Sequence, residues 1–121
     1  MTSSDFSKII HLDIDDFDKT DVTFLPDHAG KPVLVFIYAD WCGHCTTVKP
    51  NIIKLNQEFQ KSGEAFVVAV NSNDAAVASL LRANSFPSFF KVDDTSQQLI
   101  NISEAVGDRS YNSLKSALLA N

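Results

Sequence analysis

Apolar side chains recur along this chain with two different periods, and the change from one to the other marks the elements. Ile10, Leu12 and Ile14 alternate with polar positions, which predicts a half-buried strand over 9–14 with His11 on its outer face. Asp15 or Asp16 can cap a short helix over 17–24, ended by Pro26 and Gly30. Residues 33–38 are apolar without interruption, as a central strand covered on both faces would be. Val48, Ile52, Leu55 and Phe59 then fall at helical spacing and predict a helix over 42–60, closed at Ser62 and Gly63. Pro50 lies inside that helix, where it removes a backbone donor and should introduce a kink. A second apolar run at 65–70 reads as another buried strand, followed by a loop whose Asp74 can cap a helix to about residue 83. Strands at 88–92 and 98–104, joined by a turn at 93–95, precede Gly107 and a last helix with Tyr111, Leu114 and Leu118 on one face. Phe89 and Phe90 are expected to point to opposite faces of their strand.

Chemistry concentrates at one junction. The only two cysteines stand in Trp41-Cys42-Gly43-His44-Cys45, where the first buried strand hands over to the long helix. A bridge between them closes too short a loop to constrain the unfolded chain much, so its value is chemical. Cys42 at a helix start meets unpaired N–H groups and the positive end of the helix dipole, which favour its thiolate, the attacking species in disulfide exchange. Cys45, one turn on, can then attack a mixed disulfide and release the substrate. His44, when protonated, adds positive charge beside that thiolate and makes the disulfide more oxidising.

A metal site is disfavoured by the same arithmetic. Structural zinc wants four ligands, and here there is no second cysteine pair, while His11 and His28 are far apart in sequence. Haem attachment requires His where Thr46 stands, and iron–sulfur clusters need more thiolates. No metal or cofactor is therefore expected.

With 121 residues, 45% of them hydrophobic, the chain suits a single domain over 1–121 with one core. A net charge of −5 argues against a nucleic-acid partner. The acidic group Asp13, Asp15, Asp16, Asp18 and Asp21 reads as a solvated helix start. No stretch approaches the roughly 18 apolar residues of a membrane span, and the sequence shows neither a signal-peptide core nor a retention tetrapeptide. The expectation is a cytoplasmic monomer, which a trimmed secreted protein would resemble equally.

These features together resemble thioredoxin. They are the Cys-x-x-Cys after a buried strand, Pro50 five positions after Cys45, Phe86-Pro87-Ser88 before a late strand, and Val106-Gly107 before a last helix. The resemblance covers nearly the whole chain. It implies an α/β thioredoxin fold, with a central mixed five-stranded sheet flanked by four helices. It also implies a cis peptide bond at Phe86-Pro87 beside the dithiol, with the Phe86 backbone pairing with extended substrate and Trp41 and Phe86 forming an apolar rim. Cys-Gly-His-Cys and Tyr38-Ala39 are similar to the protein disulfide isomerase branch of the family. So is Gly107-Asp108-Arg109, whose arginine in that branch swings toward the resolving cysteine; Arg109 reads equally as a solvated arginine.

Two positions depart from the pattern. Phe36 stands where the family has a buried acid that helps move the resolving thiol's proton, and Ala69 where a lysine often pairs with that acid. Losing both avoids one uncompensated buried charge. The resemblance implies a thiol–disulfide oxidoreductase acting on protein substrates, with Cys42 and Cys45 catalytic, Gly43 and His44 between them, and an unidentified reductase or oxidant as partner. The alternatives are a thioredoxin-fold binding module with a slow or vestigial dithiol, and a metal chaperone.

Overall fold

Six consecutive apolar side chains can be satisfied only in the middle of a sheet with both faces covered, and Val33–Tyr38 (β4) occupies that place. In this computed structural model, residues 6, 8–20, 23–24, 26, 28, 30–73, 75–83, 85–93 and 96–119 are described. Before β4 come three two-residue strands, Ile10–His11 (β1), Phe17–Asp18 (β2) and Thr23–Phe24 (β3). After it follow Gly43–Ser62 (α1), Phe66–Asn71 (β5), Ala75–Leu80 (α2), Ser88–Val92 (β6), Leu99–Asn101 (β7) and Tyr111–Leu119 (α3).

The main sheet has the order β1-β5-β4-β6-β7. β5 is parallel to both β1 and β4, whereas β6 is antiparallel to β4 and β7, so the five-stranded sheet is mixed as expected. Val33 to Ile37 are each no more than 1% exposed, and burying side chains of this size is worth about 1.5–3 kcal/mol each. On one face Leu34, Phe36, Ala69 and Phe89 pack with Cys45, Val48, Ile52, Leu55, Leu114 and Leu118. On the other, Val35, Ile37, Val68, Val70 and Phe90 pack with Phe17, Phe24, Val77 and Leu81. Phe89 and Phe90 thus serve opposite faces, as the strand period requires. Helix α1 contains Pro50 and ends where Gly63, in the left-handed region at φ 71°, donates its N–H to the Phe59 carbonyl at 2.7 Å.

The N-terminal quarter differs from the sequence expectation. The strand over 9–14 shrinks to Ile10–His11, because Asp13 and Asp16 form a capping box around a single 3₁₀ turn, Ile14–Asp16. Ile10 is 65% exposed, since its face is covered only from Leu12 onward, and Ile9 turns into the opposite core layer. The helix over 17–24 does not form. Phe17 and Phe24 are Cα partners across the antiparallel pair β2–β3, with ring centroids 6.2 Å apart, and Asp18 accepts from the Thr20 amide. Spacing of seven between buried aromatics fits a hairpin as well as a helix, and the Asp-rich flanks favour turns. Besides α1, α2 and α3, Phe6 is helical among the described residues. The last strand is also shorter, because Ile102 turns into the core while its N–H bonds the Phe89 carbonyl. Asp74, expected to cap α2, and residues 94–95 of the expected turn lie outside the described residues.

Candidate active site

Cys42 is the N-cap of α1. Its backbone is extended (φ −91°, ψ 113°), its N–H bonds the Ala39 carbonyl, and its carbonyl accepts the Thr46 N–H at 3.2 Å. The sulfur itself takes the capping role, accepting the Cys45 N–H at 3.2 Å. Helix N-caps are normally oxygen-bearing side chains that satisfy one of the first free N–H groups, so a cysteine there places its sulfur in the field of the helix start. Gly43 and His44 open the helix and are exposed. Cys45, one turn on, is completely buried, and the two cysteines are unpaired.

Burial first, and then a hydrogen bond with Cys42, push the Cys45 thiol up to about 11; the Ala39 backbone and the charge of Lys49 act in the opposite direction. The two sulfurs sit in unlike surroundings, although Cys42 is itself only 6% exposed. Iodoacetamide titration of the reduced protein should modify Cys42 first and Cys45 only at strongly alkaline pH or on unfolding. First modification at Cys45 would contradict this order.

The cis peptide bond Phe86-Pro87 lies against the dithiol, and the Cys42 thiol donates to the Phe86 carbonyl at 3.5 Å. Trp41 is 77% exposed and meets the Phe86 ring edge-on, with centroids 5.9 Å apart, so the two form one apolar rim beside Cys42. The arrangement combines a thiol at a helix start, a second thiol hydrogen-bonded to it, an adjacent backbone acceptor and an exposed aromatic. A cavity of about 500 Å³ lined by Ile10, Phe24, His28, Phe59 and Phe66 contains none of these residues. Among the described residues, no three His, Cys, Asp or Glu side chains gather to hold a metal ion.

Phe36 and Ala69 are Cα partners on β4 and β5, so the two departures noted in the sequence occupy one place in the core. Phe36 stacks on Tyr38 at 5.6 Å and packs against Phe89 at 5.6 Å, leaving no polar group at either position. Arg109 has a left-handed backbone (φ 60°), and its carbonyl accepts from Asn51 of α1 at 3.0 Å. The cation whose charge acts on Cys45 is Lys49, which sequence reasoning passed over; its place four residues beyond Cys45 on one helix face was the available signal.

The Thioredoxin family model matches residues 8–120. A protein disulfide-isomerase of Schizosaccharomyces pombe is 34% identical over 111 residues, 89% of this chain and 28% of that protein. A thiol:disulfide interchange protein TxlA homolog of Synechocystis is 29% identical over 92 residues, 75% of this chain and 49% of that protein. The chain thus spans less than half the length of either relative. Among solved structures, oxidised mitochondrial thioredoxin 3 of Saccharomyces cerevisiae superposes with a TM-score of 0.66 at 18% identity, covering 94% of this chain and 96% of that one. The J-Trx1 fragment of ERdj5 gives 0.63 at 27% identity, over 91% and 49% of the two chains.

Proposed function

Because this chain belongs to the thioredoxin family, we propose that it is a thiol–disulfide oxidoreductase acting on protein substrates through Cys42 and Cys45. The observation that carries this reading is the sulfur of Cys42 capping α1 beside the Phe86 carbonyl and the exposed Trp41. Cys42 thiolate attacks one sulfur of a substrate disulfide, and the other substrate sulfur leaves and takes a proton from water. Cys45 then attacks Cys42, forming the internal disulfide and freeing the second substrate thiol. Substrate is reduced by two electrons and the dithiol is oxidised; the reverse sequence oxidises a substrate dithiol. An extended substrate segment lies along the Phe86 backbone, with its apolar side chains on Trp41 and Phe86.

The Cys45 surroundings support this order of events. Two of the influences that push its thiol up come from Cys42, and both vanish once Cys42 carries substrate, which eases ionisation when the second attack is due. Burial remains as the main brake.

His44 between the cysteines points to the isomerase type. Replacing it by proline should lower the reduction potential of the pair by tens of millivolts, about 30 mV being 1.4 kcal/mol for two electrons, as measured by glutathione titration. An unchanged potential contradicts the role given to His44. A second reading, a binding module with a slow dithiol, draws on the apolar pair Phe36 and Ala69. Insulin reduction by dithiothreitol separates the two. Acceleration by catalytic amounts of wild type, lost in Cys42→Ser, supports the oxidoreductase; no acceleration favours the binding module.

A further inference from the structure

With Phe36 and Ala69 apolar, the resolving thiol has no charge pair at those two positions, and the charge that favours its ionisation is that of Lys49 on its own helix. Lys49 follows Cys45 by one helical turn, a spacing that puts Cβ atoms about 5–6 Å apart. A surface lysine would extend its ammonium into water. Here the Nζ atom lies 4.7 Å from the centroid of the Phe6 ring and 4.9 Å from that of Tyr38, and the residue is half-buried. Aromatic faces hold a cation through their quadrupole, so this pair of rings keeps the charge near the core side of α1.

The clamp is itself fixed. Phe6 meets Tyr38 edge-on at 5.0 Å, and Tyr38 stacks on Phe36. His11 Nδ1–H donates to the Ile9 carbonyl at 2.8 Å, which leaves Nε2 to accept from the Tyr38 hydroxyl at 2.8 Å. Burial, and then the nearby charge of Asp40, push the Tyr38 hydroxyl up, so no phenolate forms there to neutralise Lys49. Among the described residues no carboxylate pairs with Lys49.

We propose that Lys49, clamped on the rings of Phe6 and Tyr38, is a positioning cation for the resolving step, holding positive charge beside Cys45 in place of the missing buried pair. The proposal rests on the oxidoreductase reading. In the mixed disulfide, Cys45 gives its proton to water. Its thiolate forms the bond to Cys42 as the bond from Cys42 to substrate breaks, and the substrate leaves as a thiolate. Lys49 acts by stabilising the Cys45 thiolate.

Stopped-flow reaction of the reduced protein with dithiobis(nitrobenzoate) tests this. One thionitrobenzoate is released as Cys42 is modified, and a second as Cys45 displaces the group left on Cys42. Lys49→Met should slow the second release about three- to tenfold near neutral pH and move its pH profile to higher pH, corresponding to roughly half to one pKa unit. The first release should stay within about twofold, because Cys42 draws on the helix start instead. Lys49→Arg should restore the second release. An unchanged second release in Lys49→Met, slowing with no shift of the pH profile, or failure of arginine to rescue overturns the proposal. If wild type shows no second release, the oxidoreductase reading fails, and Lys49 is judged by carbon-13 titration of the Cys45 Cβ resonance. A midpoint raised in Lys49→Met then supports the electrostatic link, and an unmoved one overturns it.

Discussion

Replacing Cys45 by serine is expected to arrest the protein as a mixed disulfide on Cys42. Cys42 keeps its cap position, its Phe86 acceptor and its apolar rim, so the first attack proceeds. Release then depends on an external thiol at millimolar concentration. A thiol held one turn away on a rigid helix acts at an effective concentration several orders of magnitude higher, so release should slow at least about a hundredfold. Non-reducing electrophoresis after mixing with a disulfide-bonded protein should show the covalent complex with Cys45→Ser and none with Cys42→Ser. Covalent capture by Cys42→Ser in place of Cys45→Ser would reverse the roles of the two cysteines. In wild type, release should accelerate about tenfold per pH unit on the alkaline side of neutrality, because each unit below the Cys45 titration raises its thiolate fraction tenfold.

The second large effect is expected at Phe36. Its ring is fully buried between Tyr38 and Phe89, and removing a buried phenylalanine costs about 3–5 kcal/mol. Glutamate adds the cost of a buried acid, and its strand neighbour Ala69 offers no cation. Phe36→Glu should therefore lose at least about 4 kcal/mol, a large part of the roughly 5–15 kcal/mol that holds a small domain together. Urea denaturation measures this, with Phe36→Leu as the packing control expected to lose much less. Where Phe36→Glu remains folded, its carboxylate supplies the proton acceptor that the wild type lacks. Rapid-quench trapping should then show faster resolution of the mixed disulfide than in wild type. A loss below about 1 kcal/mol, or unchanged resolution in folded protein, would contradict the account of this position.

How far the sequence could be read depended on how many constraints acted on each segment. The run at 33–38 is buried on both faces, and the run at 65–70 is too apart from the exposed Phe66, so composition alone located them, and α1 carried both an apolar stripe and the cysteine junction. The first quarter has no such redundancy. Ile10, Leu12 and Ile14 alternate as a strand should, but burial there is set by what β1 meets beyond β5, which local periodicity does not contain. Phe17 and Phe24 satisfy a hairpin and a helix equally well by spacing, and turn chemistry decided between them. At the site, the meeting of the cysteines, the Phe86-Pro87 pair and Trp41 was legible because the resemblance places them together. Lys49 was not, since its meaning comes from Phe6 and Tyr38, which lie 43 and 11 positions earlier in the chain and meet it only in the fold.

The two-electron reduction potential of the Cys42–Cys45 pair, measured by equilibration with glutathione, tests the central claim most directly. The account predicts one internal disulfide, formed without lasting glutathione adducts, at a potential above the roughly −270 mV of thioredoxin and nearer the roughly −180 mV of protein disulfide isomerase. A pair that forms no internal disulfide, or one more reducing than thioredoxin, would contradict it.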